Sequence, residues 1–124
     1  MHTLIYSDDA AATRAFLRDV VGWPSVEDGD SGSGWLIFQT GRSELGVHPT
    51  SGGSGEHAYQ VPRHHYVSLI CDDLDATRAE LVARGASVGE PQQMGFGQGV
   101  LLDVPGADQM LVYEPSHATA YDLP

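Results

Sequence analysis

The chain has 124 residues, 41% of them apolar and 19% charged. That is the composition of one folded domain rather than a disordered chain, and enough chain to bury a core without a disulfide or a metal. Seventeen Asp and Glu against six Arg, with no Lys, leave a formal charge of −11, a field that repels phosphate backbones and anionic lipid and favours a cationic ligand.

Residues 2–7 (HTLIYS) are rich in β-branched and aromatic side chains and read as an opening strand. The N-terminus has neither the basic region nor the long apolar stretch of a signal peptide, and no apolar run approaches the ~18 residues of a membrane span. Asp8-Asp9 then offers an N-cap, and Thr13, Phe16, Leu17 and Val20 recur at helical spacing, so a helix is expected over 9–21, stopped by Gly22. Shorter strands are expected near 25–28, 34–40 and 44–48. Residues 50–57 (TSGGSGEH) have linker composition.

The same order then begins again. DDLDATRAEL at 72–81 matches DDAAATRAFL at 8–17 in seven of ten positions, at an offset of 64. YVSLIC precedes the second copy as HTLIYS precedes the first, and SVGE at 87–90 answers SVED at 25–28. Gly106 answers Gly41 at an offset of 65. A self-similar chain is one structural unit built twice. The second copy predicts a strand at 66–71, a helix at 73–84 with Leu74, Thr77 and Leu81 on one face, and strands near 87–90, 99–104 and 109–114. Residues 94–99 (MGFGQG) read as a mobile stretch interrupting this unit. Each unit is therefore βαβββ within a single domain, 1–124. Unit one spans 1–49, a linker 50–62, unit two 63–115 and a tail 116–124.

Alternation along the strands separates two faces. Met110 and Val112 point one way, and Leu111 and Tyr113 the other. Ile5, Val67 and Leu69 belong beneath the helices, whereas His2, Tyr6, His64 and Tyr66 lie opposite. Cys71, the only cysteine, sits in an apolar run and reads as an inert thiol suited to a reducing cytoplasm. His57, His65 and His117 read as linker, outward and tail residues. Glu44 and Glu114 are single carboxylates with no partner to make them general bases. No G-x-S-x-G, H-E-x-x-H or phosphate-binding G-x-x-x-x-G-K motif occurs.

Two βαβββ units with strand–Asp–helix openings, together with ELGVHP at 44–49, CDDLDATRAELVARG at 71–85 and VPGADQMLVYEP at 104–115, resemble the vicinal-oxygen-chelate superfamily. It contains glyoxalase I, extradiol dioxygenases, fosfomycin-resistance enzymes and bleomycin-resistance binding proteins. The resemblance implies an α+β fold of two βαβββ repeats, with mixed sheets facing a shared cleft and helices outside. It also implies a homodimer. The four metal-ligand positions of such proteins fall on His2, Gly46, Tyr66 and Leu111, only one of which has a ligand-type side chain. No cofactor is therefore expected. A displaced divalent-metal site would draw on His2, His48 and His64. The expected function is binding of a small aromatic or cationic molecule, with His2, Tyr6, Trp35, His48, His64, Tyr66, Leu111 and Tyr113 lining the cleft and Phe96 closing over it. The alternatives are a metal-dependent lyase or dioxygenase acting on vicinal oxygens, and a metal-free isomerase or lyase using His and Tyr. No catalytic residue is assigned.

Overall fold

The computed structural model describes residues 1–27 and 34–124. It has an α+β fold with two helices and mixed sheets. Helix α1 (Ala10–Phe16) continues into a wider turn, Leu17–Val21, in which the Gly22 amide reaches back five residues to the Leu17 carbonyl at 3.0 Å. Strands β1 (Ser25–Glu27) and β2 (Leu36–Phe38) form an antiparallel hairpin. Residue 28, the end of the expected strand 25–28, lies outside the described residues.

In residues 63–115 a strand and a helix come first, and three strands follow at bounds that differ from those expected. Strand β5 (Ser68–Ile70), helix α2 (Leu74–Ala83), β6 (Gln92–Met94), β7 (Gly97–Leu102) and β8 (Met110–Pro115) follow one another, in the sheet order β5-β8-β7-β6. β5 runs parallel to β8 and the other pairings are antiparallel. The expected strand at 87–90 contributes a single bridge, Val88 to Leu102.

Both helices lie against this one sheet. Phe16 and Leu17 of the first helix and Leu74 and Leu81 of the second bury with Val100, Leu102, Val104, Met110 and Val112. The Asp pairs act as read: Asp9 accepts from the Ala12 amide at 3.0 Å and Asp73 from the Ala76 amide at 2.9 Å. The start of α1 is also pinned to unit two. The Thr13 hydroxyl donates to the Pro105 carbonyl, and the Asp8 amide donates to the Gly106 carbonyl at 2.8 Å. Gly106 takes φ +78, and a Cβ there would come within 2.6 Å of Ser7 Oγ and 2.9 Å of the Asp9 backbone. At the other end, Arg84, the C-cap of α2, donates to the Val20 carbonyl at 3.0 Å, placing a cation at the C-terminus of the first helix.

Three expectations are corrected. Residues 2–7 and 44–48 form no strand, because neither meets a neighbouring strand; Leu4, Tyr6, Leu45 and Val47 stand exposed. Residues 94–99 are not a mobile interruption but the end of β6, a two-residue turn at Gly95-Phe96 and the start of β7, with Met94 opposite Gly97. The 50–62 linker is folded back on itself: β3 (Ser51–Gly52) pairs with β4 (Tyr59–Gln60) across one 3-10 turn. Among the described residues, no helix is long and apolar enough to cross a membrane.

Candidate functional site

The sheet face turned away from the helices is set by the alternation of β7 and β8. Val100, Leu102, Met110 and Val112 point into the core, leaving Gly99, Leu101, Leu111 and Tyr113 on the other side. Ser68 and Ile70 of β5 lie beside Leu111 and Tyr113 in the ladder. A Cβ at Gly99 would stand 2.6 Å from Met94 Cε and 2.8 Å from Leu111 Cδ1, the ends of two flexible side chains, and 3.2 Å from Tyr113 Cβ.

Tyr113 is the organising side chain of this face, and it is buried. Phe96, carried on the β6–β7 turn, meets its ring edge-on with centroids 5.2 Å apart. The tail closes over it from the other direction. The Ser116 amide bonds to the Phe96 carbonyl at 2.9 Å, which starts the tail back across the sheet. His117 Nδ1 is 2.8 Å from the Ala118 carbonyl, an acceptor only, so Nδ1 carries the proton. His117 Nε2 forms a hydrogen bond with the Tyr113 hydroxyl at 3.1 Å. Glu44 approaches from unit one. Its Oε1 lies 3.9 Å from His117 Nε2, and its Oε2 accepts from the Ala120 amide at 2.7 Å. Arg42 stacks over the Tyr121 ring at 5.8 Å. Burial pushes the Tyr113 phenol above its ordinary range, with the Glu44 carboxylate and then Tyr121 adding to the rise, so the phenol remains a proton donor at neutral pH.

The other sequence-derived candidates are dispersed. His64 and Tyr66 meet edge-on at 6.5 Å, with His64 Nδ1 2.7 Å from the Pro62 carbonyl. His48 lies 5.5 Å from the Tyr59 ring, with Nδ1 2.8 Å from the Pro49 carbonyl. Tyr6 is exposed at a polar recess of about 380 Å³, shared with Asp8, Gly106, Ala107 and Asp108. His2 and Trp35 are exposed. His117, read from sequence as a tail residue, is instead a partner of Tyr113. Glu114 points its carboxylate at α2 and accepts the Leu74 amide at 2.9 Å. Burial raises the Cys71 thiol above its ordinary range, in keeping with an inert thiol.

A divalent ion does not fit the four equivalent positions. Gly46 and Leu111 offer no donor, and the Leu111 side chain is folded over Gly99. Among the described residues, no three His, Cys, Asp or Glu side chains stand together as a metal-holding group, so His2, His48 and His64 do not converge. Sequence reasoning did not bring Glu44 and His117 together with Tyr113. Glu44 stood on the expected strand as an isolated carboxylate, and His117 lies beyond the repeat, where no pattern exists to place it.

The glyoxalase family model, described as the Glyoxalase/Bleomycin resistance protein/Dioxygenase superfamily, matches residues 1–119. Among solved structures, the chain is similar to a lactoylglutathione lyase from Agrobacterium tumefaciens, at 22% identity and TM-score 0.62, covering 92% of this chain and 91% of that one. It is similar to TnmS3, an antibiotic-binding protein from Streptomyces sp. CB03234, at 18% identity and TM-score 0.55, covering 90% and 91%. A glyoxalase/bleomycin resistance protein/dioxygenase superfamily member from Sphaerobacter thermophilus DSM 20745 aligns at 20% identity and TM-score 0.54, covering 92% and 95%. These identities establish a shared fold and no more. A search of curated protein sequences gave no match.

Proposed function

The chain belongs to the glyoxalase/bleomycin resistance protein/dioxygenase superfamily, and from that premise we propose that it binds a small organic molecule in the cleft between its two units, without the metal common in this superfamily. The observation that carries this reading is the chemistry of the family's ligand positions, where Gly46 and Leu111 supply no donor, together with the ring pairs His64–Tyr66 and Phe96–Tyr113. Tyr66, Phe96 and Tyr113 provide ring surface, and His64 and His48 provide polar contacts. A net charge of −11 favours a cationic ligand. One superfamily neighbour of the same fold binds an antibiotic, which is consistent with sequestration rather than turnover. The reading extends to a cytoplasmic homodimer. Leu4, Tyr6, Leu45 and Val47 are exposed apolar side chains that a second copy would cover, and the lone free thiol suits a reducing compartment.

The test is a thermal-shift screen of cationic aryl compounds at low and at 150 mM salt, on protein purified without an affinity tag and analysed for metals. Hits that weaken partly with salt and fade in Tyr66→Ala support the proposal. About one equivalent of zinc, nickel, iron or manganese per chain, lost in His2→Ala, overturns it. So does a screen in which no compound raises the melting temperature.

A further inference from the structure

We propose that the C-terminal segment 116–121 is a clasp between the two halves of the chain. It ties Glu44 of unit one to Tyr113 of unit two, so that carboxylate and phenol are held as one arrangement and neither contact keeps its strength without the other. The clasp operates with no ligand present, so it stands or falls apart from the proposed binding.

The segment's bonds run from one half to the other in chain order. It begins on unit two, where the Ser116 amide extends the β7–β8 ladder by donating to the Phe96 carbonyl at 2.9 Å. His117, next along, brings Nε2 to 3.1 Å from the Tyr113 hydroxyl. Further on, the chain has crossed to unit one. The Ala120 amide donates to Glu44 Oε2 at 2.7 Å, and the Tyr121 ring lies under Arg42 at 5.8 Å.

Local backbone explains why the crossing ends at Glu44. Thr119 is extended, and Ala120–Asp122 forms one 3-10 turn, closed by the Leu123 amide on the Ala120 carbonyl at 3.2 Å. The first amide of such a turn has no acceptor within it. Glu44 supplies that acceptor from the other half of the chain, and its side chain is only 20% exposed. A carboxylate partly withdrawn from water is stabilised by an N–H donor, and a hydrogen bond to a charged group is among the stronger ones.

Tyr113 registers the far end of the same segment. Burial raises its phenol above the ordinary range, and the Glu44 carboxylate and Tyr121 add to the rise. The buried phenol therefore senses both unit one and the residue that follows Ala120. Contacts strung along one short stretch of backbone are not independent. Each one fixes dihedrals that the next would otherwise have to fix, so losing one raises the cost of keeping the others. The wall beside Phe96 and Tyr113 is thus set by the end of the chain, outside the repeat.

The test uses the full chain without ligand, reading amide exchange and the Tyr113 phenol titration by nuclear magnetic resonance. Each variant cuts one end of the clasp and the other end is read. Tyr113→Phe keeps the ring against Phe96 and removes the hydroxyl at His117. It should speed exchange of the Ala120 amide several-fold, up to about tenfold. Ala120→Pro removes the donor to Glu44 at the first residue of a 3-10 turn, after an extended Thr119, a position that accepts proline. It should bring the Tyr113 titration back toward the ordinary phenol range, as Glu44 and Tyr121 move away. The Ser116 amide, bonded within the sheet ladder, should keep the parental rate in both variants. Parental exchange at Ala120 in Tyr113→Phe would overturn the clasp, and so would a parental Tyr113 titration in Ala120→Pro. Equal acceleration at Ser116 and Ala120 would also overturn it, because the sheet itself would then be what loosened.

Discussion

The two units share seven of ten residues across their helix starts, yet among the described residues the first pairs only β1 with β2 while the second builds a four-stranded sheet. The helices came out alike because their information is local: an Asp cap, an apolar face and a stop glycine sit within one stretch of chain. The strands came out differently because a ladder needs a second segment of matching pattern. In unit two, Ser68–Ile70 finds the six-residue strand Met110–Pro115. In unit one, the counterpart of that partner is Glu44-Leu45-Gly46-Val47-His48, shorter in apolar side chains and broken by a glycine. The first helix consequently packs on the second unit's sheet, and one core serves both repeats.

The sharpest way to break this comparison is to cut one apolar side chain in each unit. Leu102 is 1% exposed, so Leu102→Ala should cost about 2–5 kcal/mol in urea unfolding. Val47 is 93% exposed, so Val47→Ala should stay within about 0.5 kcal/mol. A comparable loss at both sites, varying with protein concentration, would show that a second copy buries residues 44–48.

The paired glycines sharpen it further. Gly41 and Gly106 occupy the same place in the repeat and take φ values of +86 and +78. A Cβ at 106 would strike Ser7 and Asp9, whereas one at 41 would meet nothing within 4 Å. Gly106→Ala should therefore cost about 2–3 kcal/mol, from backbone strain plus the clash, and Gly41→Ala about 1 kcal/mol, from strain alone. Equal losses, measured by chemical denaturation, would mean that the Gly41 turn is packed in solution as its twin is.

The smallest effect tests where the units agree. Asp9→Ala and Asp73→Ala each remove one capping hydrogen bond of nearly equal length, so each should cost about 1 kcal/mol. A difference above about 0.5 kcal/mol in melting experiments would show that the caps do not contribute equally.

What could be read in the residues follows the same division. Both helices, their caps and the inward face of β8 were legible, because periodicities of 3.6 and 2 leave local marks at Thr13, Phe16, Leu74, Leu81, Met110 and Val112. The Gly95-Phe96 turn was misread, since glycines on both sides look the same in a tight hairpin as in a loose loop. The Glu44–His117–Tyr113 arrangement was not legible at all. It joins residues 73 positions apart, Glu44 and His117, and its tail member has no counterpart in the first unit.

The wide turn at the end of the first helix records how the repeats diverged. Gly22 lies fourteen positions beyond Asp8, but Gly85 lies thirteen beyond Asp72. The first stretch from Asp to stop glycine is thus one residue longer, and the turn over Leu17–Val21 takes up that residue without looping out, by widening a single turn of backbone. Downstream, Trp23 and Ala86 still correspond, and both still lie against the core. An ungapped superposition of the halves therefore slips out of phase at this turn and again beyond it, since the offset is 63 at Trp23 and Ala86, 62 at SVED and SVGE and 65 at Gly41 and Gly106.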